Sequence, residues 1–539
     1  MTDPVNIALQ LSVVAAEHPS RPCVISHAAV LSYRGLEEQS NQCAWGLRHY
    51  GVEKGARAVM MVRPGIQFMI VSFALIKAGA IAVFVDPLIG RQNLSRCLAE
   101  LRPDVFIGSL RAQIARVALG WGRDTAGLCI NTSRMSVPGV VDYEEVMRRG
   151  QVARVPHSVL VDPDQPAAVV FTSGSTGVPK GVVYTHRMFS AQVACLADHF
   201  GIQPGEVDLT TFPLFALFNP ALRMTTVFPG IDFTQPARAN PSTIVECVQA
   251  HNASHMFGSP ALLDRLGNYG RRTGVKVPTM RRVLVAGAPV SMKTLIALHN
   301  FLGPETEIHS CYGATEALPI CSISGRHLLS ETNAHPEKGA CLGLPIRGIS
   351  LAVVKVVDGR IRVWSDDLSM KTGEVGELVV GGANVSCTYW DRRENEMTKI
   401  KATGDTPLHR TGDLGYIDER GYIWFCGRKS QRVITPSGPL YTVLCERIFD
   451  QHPSVRRSAL VGVGKPPNQS PVLCVELESG SHRRASGQIE QELLKLARRY
   501  PHLRQIDTIL FHPGFPVDVR HNAKIIREEL SIWAAKRIS

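Results

Sequence analysis

The chain has 539 residues, 45% hydrophobic, 20% charged and 6% aromatic; this composition excludes disordered, collagenous and coiled-coil proteins, and the length calls for more than one core. Net charge is +12, and residues 427–539 hold 18 Lys/Arg against 10 Asp/Glu, so the C-terminal part supplies most of the excess. A basic face of this kind suits an anionic substrate or partner. A nucleic-acid reader would need stacking aromatics or a reader motif, and neither is found, so no nucleic acid is expected.

From the N-terminus onward, Asp3 and the lack of a basic run argue against an export signal. Thirteen cysteines are scattered from Cys23 to Cys474 without any C-x-x-C pair, which excludes a zinc ribbon and predicts reduced, mostly buried thiols in a cytoplasmic protein. Ala58–Val62 reads as a strand, Gln67–Ala78 as a helix and Ile81–Val85 as a second strand. The apolar run Met69–Val85 contains Lys77 and, at about 17 residues, is shorter than a membrane helix requires, so a buried helix and strand are predicted and no transmembrane segment. The same rhythm returns at Ala167–Phe171, Thr210–Phe212, Met256–Phe257 and Arg282–Val285. Strands alternating with helices predict an α/β fold with parallel-rich sheets. Over 339–426 short strands and glycine turns predict a small β-rich subdomain, completing a large N-terminal domain over 1–426. A boundary follows at 427–430, and 431–539 reads as a small α/β C-terminal domain ending in a helix near Ile525–Ala535.

The strongest chemical signal is Thr172, Ser173, Gly174, Ser175, Thr176 and Gly177, followed by Lys180-Gly181, directly after the strand Ala167–Phe171. Small residues with backbone N–H and hydroxyl donors, plus one ammonium, suit phosphate oxygens. It is not a Walker A loop, because Gly181 stands where Ser or Thr would follow the lysine. No G-x-S-x-G is present, so a serine-hydrolase elbow is unsupported.

With Tyr184-Thr-His186 after it, this segment resembles the phosphate loop of the adenylate-forming enzymes, the superfamily of acyl-CoA ligases, luciferases and peptide-synthetase adenylation domains. The likeness continues in the family's order through Leu31-Ser-Tyr33, Leu75–Gly79, Ala286-Gly287-Ala288-Pro289, Tyr312-Gly313-Ala314-Thr315-Glu316, Gly376-Glu-Leu378, Arg410-Thr-Gly-Asp413 and Gly427-Arg428. The resemblance implies ATP and Mg²⁺ as cofactors. It implies that Thr172–Gly177 and Lys180 hold the β- and γ-phosphates, that Thr315 bonds the α-phosphate and that Glu316 ligates Mg²⁺, a role suited to a hard carboxylate. Gly287, Ala288, Pro289 and Tyr312, with Gly313 and Ala314, would line the adenine, and Asp413 with Arg428 would hold the ribose. Lys524, in Asn522-Ala523-Lys524, matches the lysine that a mobile C-terminal domain, turning on a hinge at 427–430, brings to the carboxylate and α-phosphate.

Three departures narrow the substrate. Ala216 replaces the histidine common in the acyl segment, here Phe212–Leu222; Ser430 replaces the usual hinge Asp or Lys; and Ile434–Glu446 lacks the register usual after the hinge of CoA ligases. Together with Ser310–Pro319 and Pro516–Lys524, these segments resemble the β-lactone synthetases of bacterial long-chain olefin biosynthesis. That resemblance implies adenylation of a long-chain 2-alkyl-3-hydroxy acid and closure by its own 3-hydroxyl. Association with a condensing enzyme, a reductase and a β-lactone decarboxylase is implied as well. A long-chain fatty acyl-CoA ligase and a non-catalytic scaffold are the alternatives; CoA dependence separates the first, and intact Lys180, Glu316, Asp413 and Lys524 argue against the second. No base for the hydroxyl proton stands out, since His186 and His309 sit at element ends where histidines are usually structural.

Overall fold

The computed structural model describes residues 6–538 apart from 28, 86–88, 152–157, 173–178, 333–334, 403, 405, 479–485 and 518–524. Two large sheets organise everything before residue 429. A seven-stranded sheet runs in the order Val141–Asp142, Leu128–Asn131, Val105–Gly108, Arg57–Met61, Ile81–Phe84, Pro166–Phe171, Gly181–Thr185. All its neighbours are parallel except the last pair. That antiparallel pair flanks residues 173–178.

Helix Ile66–Lys77 between two of these strands is apolar on every face, with ten of its twelve residues buried, as a helix enclosed by protein must be. Its fully buried Lys77 is neutralised by Glu37 at 2.8 Å and by the Asn41 side-chain oxygen at 2.8 Å. Burial pulls its pKa down to about 8. The apolar run Met69–Val85 is therefore core, and no helix among the described residues is long and apolar enough to cross a membrane.

The second sheet has a parallel centre, from Glu307–Ala314 through Arg282–Val285, His255–Gly258, Val207–Leu209 and Thr225–Phe228 to Pro22–Ser26. One correction arises here. The strand expected at Thr210–Phe212 is Val207–Leu209, because Pro213 opens a 3₁₀ turn over Pro213–Leu217 and the chain has already left the sheet. The β-rich segment continues the second sheet. Ala340–Pro345 pairs with Ala317–Ser324 on one side and Ile423–Arg428 on the other, extending the parallel sheet into antiparallel strands Leu408–Ile417, Gly376–Gly381 and Ser350–Val354.

Past Arg428 the chain forms a hairpin, Val433–Thr435 with Gly438–Leu440, and a three-stranded sheet of Val455–Val463, Ser470–Leu477 and Thr508–Phe511. These strands and helices Thr442–Phe449 and Ser486–Ala497 enclose a core of their own around Cys445, Phe449, Leu460 and Leu473. The last helix is Arg527–Ile538, its start fixed by Arg527 on Glu446 at 2.6 Å. Eight of the thirteen cysteines are buried, which disfavours their thiolates.

Candidate active site

The two sheets meet where strand Gly181–Thr185 of the first reaches a turn of the second. The hairpin of Glu307–Ala314 and Ala317–Ser324 pairs Ala314 with Ala317, so Thr315 and Glu316 occupy the turn. The Tyr184 hydroxyl donates to the Thr315 carbonyl at 2.7 Å, and Ser386 N–H donates to the Glu316 carbonyl at 2.7 Å. Side chains finish the placement. The buried Tyr389 hydroxyl donates to Glu316 Oε1 at 2.6 Å. Burial and the nearby Glu316 carboxylate push the Tyr389 pKa far up, so the phenol stays a donor.

Around Tyr389 the charges are arranged in pairs. Lys180 Nζ and Lys399 Nζ lie 5.7 and 5.4 Å from its ring centre. Lys180 meets Glu394 at 2.6 Å, both about a third exposed, and an exposed pair of this kind is a weak restraint. Lys399 is buried and donates to the Ser386 carbonyl. Burial lowers its pKa to about 8, opposed by Glu316. His409 lies edge-on to Tyr389 at 6.4 Å, and burial with the two lysines holds its pKa well below the ordinary value, so it is neutral. Thr172 closes the phosphate segment: its N–H donates to the Lys180 carbonyl and its hydroxyl accepts from Lys180 N–H, both at 3.0 Å.

Asp413 and Arg428 stand opposite each other in the antiparallel register of Leu408–Ile417 and Ile423–Arg428. Asp413 is 4% exposed. Its Oδ2 accepts from the Tyr312 hydroxyl at 2.6 Å and its Oδ1 meets Arg428 Nε at 2.9 Å. Burial above all, and then the carboxylate, raises the Tyr312 pKa, and the carboxylate raises that of Arg428, so both remain protonated. Of the residues expected to bind ribose and adenine, Asp413, Arg428 and Tyr312 thus share one cluster, with Tyr312 carried on the same strand as Gly313 and Ala314. Gly287, Ala288 and Pro289 follow the strand Arg282–Val285, Gly287 at φ +96°, a backbone conformation costly for any other residue. Arg410, in the same R-T-G-D motif, is structural: it is buried against Glu377 at 2.6 Å and donates to the carbonyls of Val357, Gly359 and Met397.

Ser430 sits in the 3₁₀ turn Lys429–Gln431. Before it, Gly427 has φ +139°, and a Cβ there would stand 2.5 Å from Thr442 Oγ1, so glycine is required. On the acyl side, Ala216 is fully buried and Phe215 packs on Phe257 at 4.6 Å and on Phe212 at 4.9 Å. His186 accepts from Ile7 N–H through Nδ1 at 3.2 Å, and burial lowers its pKa to about 4, so it is a neutral structural residue. Ser173, Gly174, Ser175, Thr176, Gly177 and Lys524 lie outside the described residues. On either side of 518–524, Val517 and Ile525 form an antiparallel bridge.

Tyr389, Lys399 and Glu394 gather at this candidate site and belong to none of the motifs, whereas Tyr184 stands in the quoted phosphate motif without a role assigned to it. Tyr389 stands 73 positions from Glu316 and meets it only through the fold. Glu316 fits a divalent cation: it is a hard oxygen donor on a turn, fixed by one hydrogen bond from Tyr389, the ring that Lys180 also approaches.

Residues 11–390 match the family described as AMP-binding enzyme. The chain is 42% identical over 556 residues to an olefin beta-lactone synthetase of Xanthomonas campestris pv. campestris, covering 100% of this chain and 99% of that one. It is 40% identical to an olefin beta-lactone synthetase of Stenotrophomonas maltophilia, covering 100% and 99%. ATP-bound MatB from Rhodopseudomonas palustris superposes with a TM-score of 0.79 over 99% of this chain and 100% of that one; at 19% identity this likeness shows the fold alone.

Proposed function

The chain belongs to the AMP-binding enzyme family and is an AMP-forming ligase, and from that premise we propose that it adenylates a long-chain 2-alkyl-3-hydroxy acid and closes it to a β-lactone in long-chain olefin biosynthesis. The observation that carries this reading is the full-length identity of 40–42% with two olefin beta-lactone synthetases. Ala216, Ser430 and the altered segment 434–446 support it, because all three depart from the CoA-ligase pattern.

In the proposed reaction Asp413 accepts the ribose hydroxyls, with Arg428 and Tyr312 holding the carboxylate in place. Thr172–Gly177 and Lys180 bind the β- and γ-phosphates, and Thr315 binds the α-phosphate. A magnesium ion held by Glu316 would neutralise triphosphate charge. Lys524 steadies the negative charge that builds between carboxylate and α-phosphate. The acid's carboxylate oxygen attacks the α-phosphorus and diphosphate leaves. The 3-hydroxyl oxygen then bonds to the carboxyl carbon, the bond from that carbon to the AMP oxygen breaks, and the hydroxyl proton passes to the departing phosphate or to solvent. An internal nucleophile needs no second substrate, which gives it the advantage of proximity against the strain of a four-membered ring. Residues 427–430 act as the hinge on which 431–539 carries Lys524, and the protein works in the cytoplasm beside the condensing, reducing and decarboxylating enzymes of the pathway.

The test is incubation with ATP, Mg²⁺ and a 2-alkyl-3-hydroxy acid without CoA, followed by product NMR. A β-lactone with AMP and diphosphate is expected, at a rate indifferent to CoA. Stoichiometric CoA consumption and a thioester from a plain fatty acid would establish a long-chain fatty acyl-CoA ligase instead.

A further inference from the structure

Two buried carboxylates, Glu446 and Glu476, grip the chain on either side of residues 518–524. Before that segment, Phe515 N–H donates to Glu476 Oε2 at 3.0 Å, and Glu476 is itself fixed by Arg456 and Arg457, both at 2.7 Å. After it, Arg527 donates to both oxygens of Glu446, at 2.7 and 2.6 Å. Between these grips the two flanks are pinned to each other. Val517 and Ile525 form the antiparallel bridge, and Ile526 N–H donates to the Pro516 carbonyl at 2.9 Å. Lys524 is the residue directly before Ile525 in the chain.

Glu446 is the better placed of the two to set a direction. It sits on helix Thr442–Phe449, and its Oε1 also accepts from Leu460 N–H, on strand Val455–Val463, at 2.8 Å, so the carboxylate is held from two sides. Arg527 opens the last helix, and its Nη1 reaches Gln431, in the turn Lys429–Gln431, at 3.4 Å. One guanidinium thus ties the start of that helix to the body of the C-terminal part and to the turn where that part begins. A bidentate guanidinium–carboxylate pair fixes angle as well as distance, which a single ammonium contact does not. The Arg527 and Glu446 side chains are only 14% and 9% exposed, so solvent ions screen the pair little. Such a pair adds little net stability, because desolvating both ions offsets most of their attraction; what it supplies here is a defined geometry.

We infer that Glu446 is a positioning residue for adenylation. Through Arg527 it fixes the exit of the segment that ends at Lys524, and so the direction from which that ammonium meets the carboxylate and α-phosphate. The inference rests on the reading of Lys524 as the adenylation lysine and adds to it the device that aims the lysine; it does not depend on which acid is activated.

The test is a double-mutant cycle on the full-length enzyme, read by ATP–diphosphate exchange with a 2-alkyl-3-hydroxy acid or, should that acid not be activated, a plain fatty acid. Arg527→Lys keeps the charge balance of the buried pair while removing the fork. Glu446→Gln keeps an acceptor for Leu460 N–H while removing the charge. Each should lower the exchange kcat about ten- to hundredfold, as small misplacements of a reacting group do, with KM for ATP within about twofold of wild type. In the Lys524→Ala background the same substitutions should cost less than about twofold further, because the group they aim is gone. A pair that merely supports the fold would lower the thermal midpoint, and its loss would multiply with that of Lys524→Ala. Multiplying losses, or wild-type exchange in Arg527→Lys, would overturn the inference and leave the Lys524 reading standing. Wild-type exchange in Lys524→Ala would remove both. Glu446→Asp, which shortens the carboxylate by one methylene, takes the place of a variant that fails to fold, and the same cycle decides it.

Discussion

Replacing Tyr389 with phenylalanine removes one hydroxyl and nothing else from the centre of the site. The ring that Lys180 and Lys399 approach at 5.7 and 5.4 Å is kept, as is the packing of a residue 3% exposed. What disappears is the 2.6 Å bond to Glu316 Oε1. Hydrogen bonds to charged groups contribute roughly 1.5–3 kcal/mol. Glu316 is only half-buried, so water can reach part of the carboxylate and the lower end applies. About 1.5 kcal/mol is roughly tenfold in an equilibrium constant. On the proposed reading Glu316 is held both when nucleotide binds and when phosphorus is attacked, so the loss should fall on KM for ATP and on half-saturating Mg²⁺, with kcat changed less.

The assay is diphosphate release titrated with Mg²⁺ at fixed ATP, beside a thermal melt. A roughly tenfold rise in half-saturating Mg²⁺ is expected, with the melt within a few degrees of wild type. A Mg²⁺ titration superimposable on wild type, from a variant that folds, would refute the argument that Tyr389 positions Glu316.

Asp413→Ala should weaken ATP binding strongly and Asp413→Asn less, since the amide keeps the contact to Arg428 but loses charge-assisted bonds of roughly 1.5–3 kcal/mol each; equal apparent ATP affinity in both would reduce Asp413 to a turn residue. Lys524→Ala should lower adenylate formation on the order of 10²–10³-fold while nucleotide binding by calorimetry stays nearly intact, and wild-type diphosphate release would exclude that lysine. Glu394→Gln frees Lys180 from a partly exposed pair and should leave ATP affinity unchanged or raise it, by about 1 kcal/mol at most and least at high salt; a loss of affinity would show that Glu394 positions the lysine rather than competes for it. Lys399 has a folded pKa of about 8, below its unfolded value, so the folded state binds fewer protons above pH 8 and stability gains with pH from about 8 to the unfolded lysine pKa. Lys399→Met should flatten that rise in melts taken across this window, and an unchanged slope would mean that Lys399 is not held in its buried, depressed state.

Element positions were readable where side-chain pattern alone decides them. Arg282–Val285 and Gly376–Gly381 fall where β-branched runs between glycines and charges put them. Helix Ile66–Lys77 was readable despite Lys77, because an isolated charge in an apolar run demands a partner, and Glu37 supplies it. Pro213 defeated the pattern at 210–212 by ending the strand early. Continuity of the second sheet was hidden for another reason. It depends on Ala340–Pro345 bridging two strands, and pairing between strands leaves no trace in the period of either one. The same limit applies at the site. Motifs display residues that keep one spacing, such as Thr315 beside Glu316, whereas Asp413–Arg428 depends on antiparallel register and Tyr389–Glu316 on two distant segments meeting.

The charges around Tyr389 explain how such a site stays folded while it waits for substrate. Two lysines, 180 and 399, share the space with two glutamates, 316 and 394, so no like-charge cluster forms. The two halves differ in exposure. Lys399 is buried and fixed on a backbone carbonyl, whereas Lys180 and Glu394 are held only by a partly exposed pair. On the proposed reading, triphosphate takes Lys180 from Glu394 at small cost, because the pair is solvent-screened. Glu316 cannot move in the same way: its backbone is tied to Ser386 and its carboxylate to Tyr389. On that reading the site separates a rigid half, which would set where the phosphorus and its metal lie, from an exchangeable half, which would accept the incoming charge. A rigid carboxylate and a movable ammonium are what adenylation requires, since preorganised dipoles lower the barrier only where charge develops and must be free of competing partners when substrate arrives.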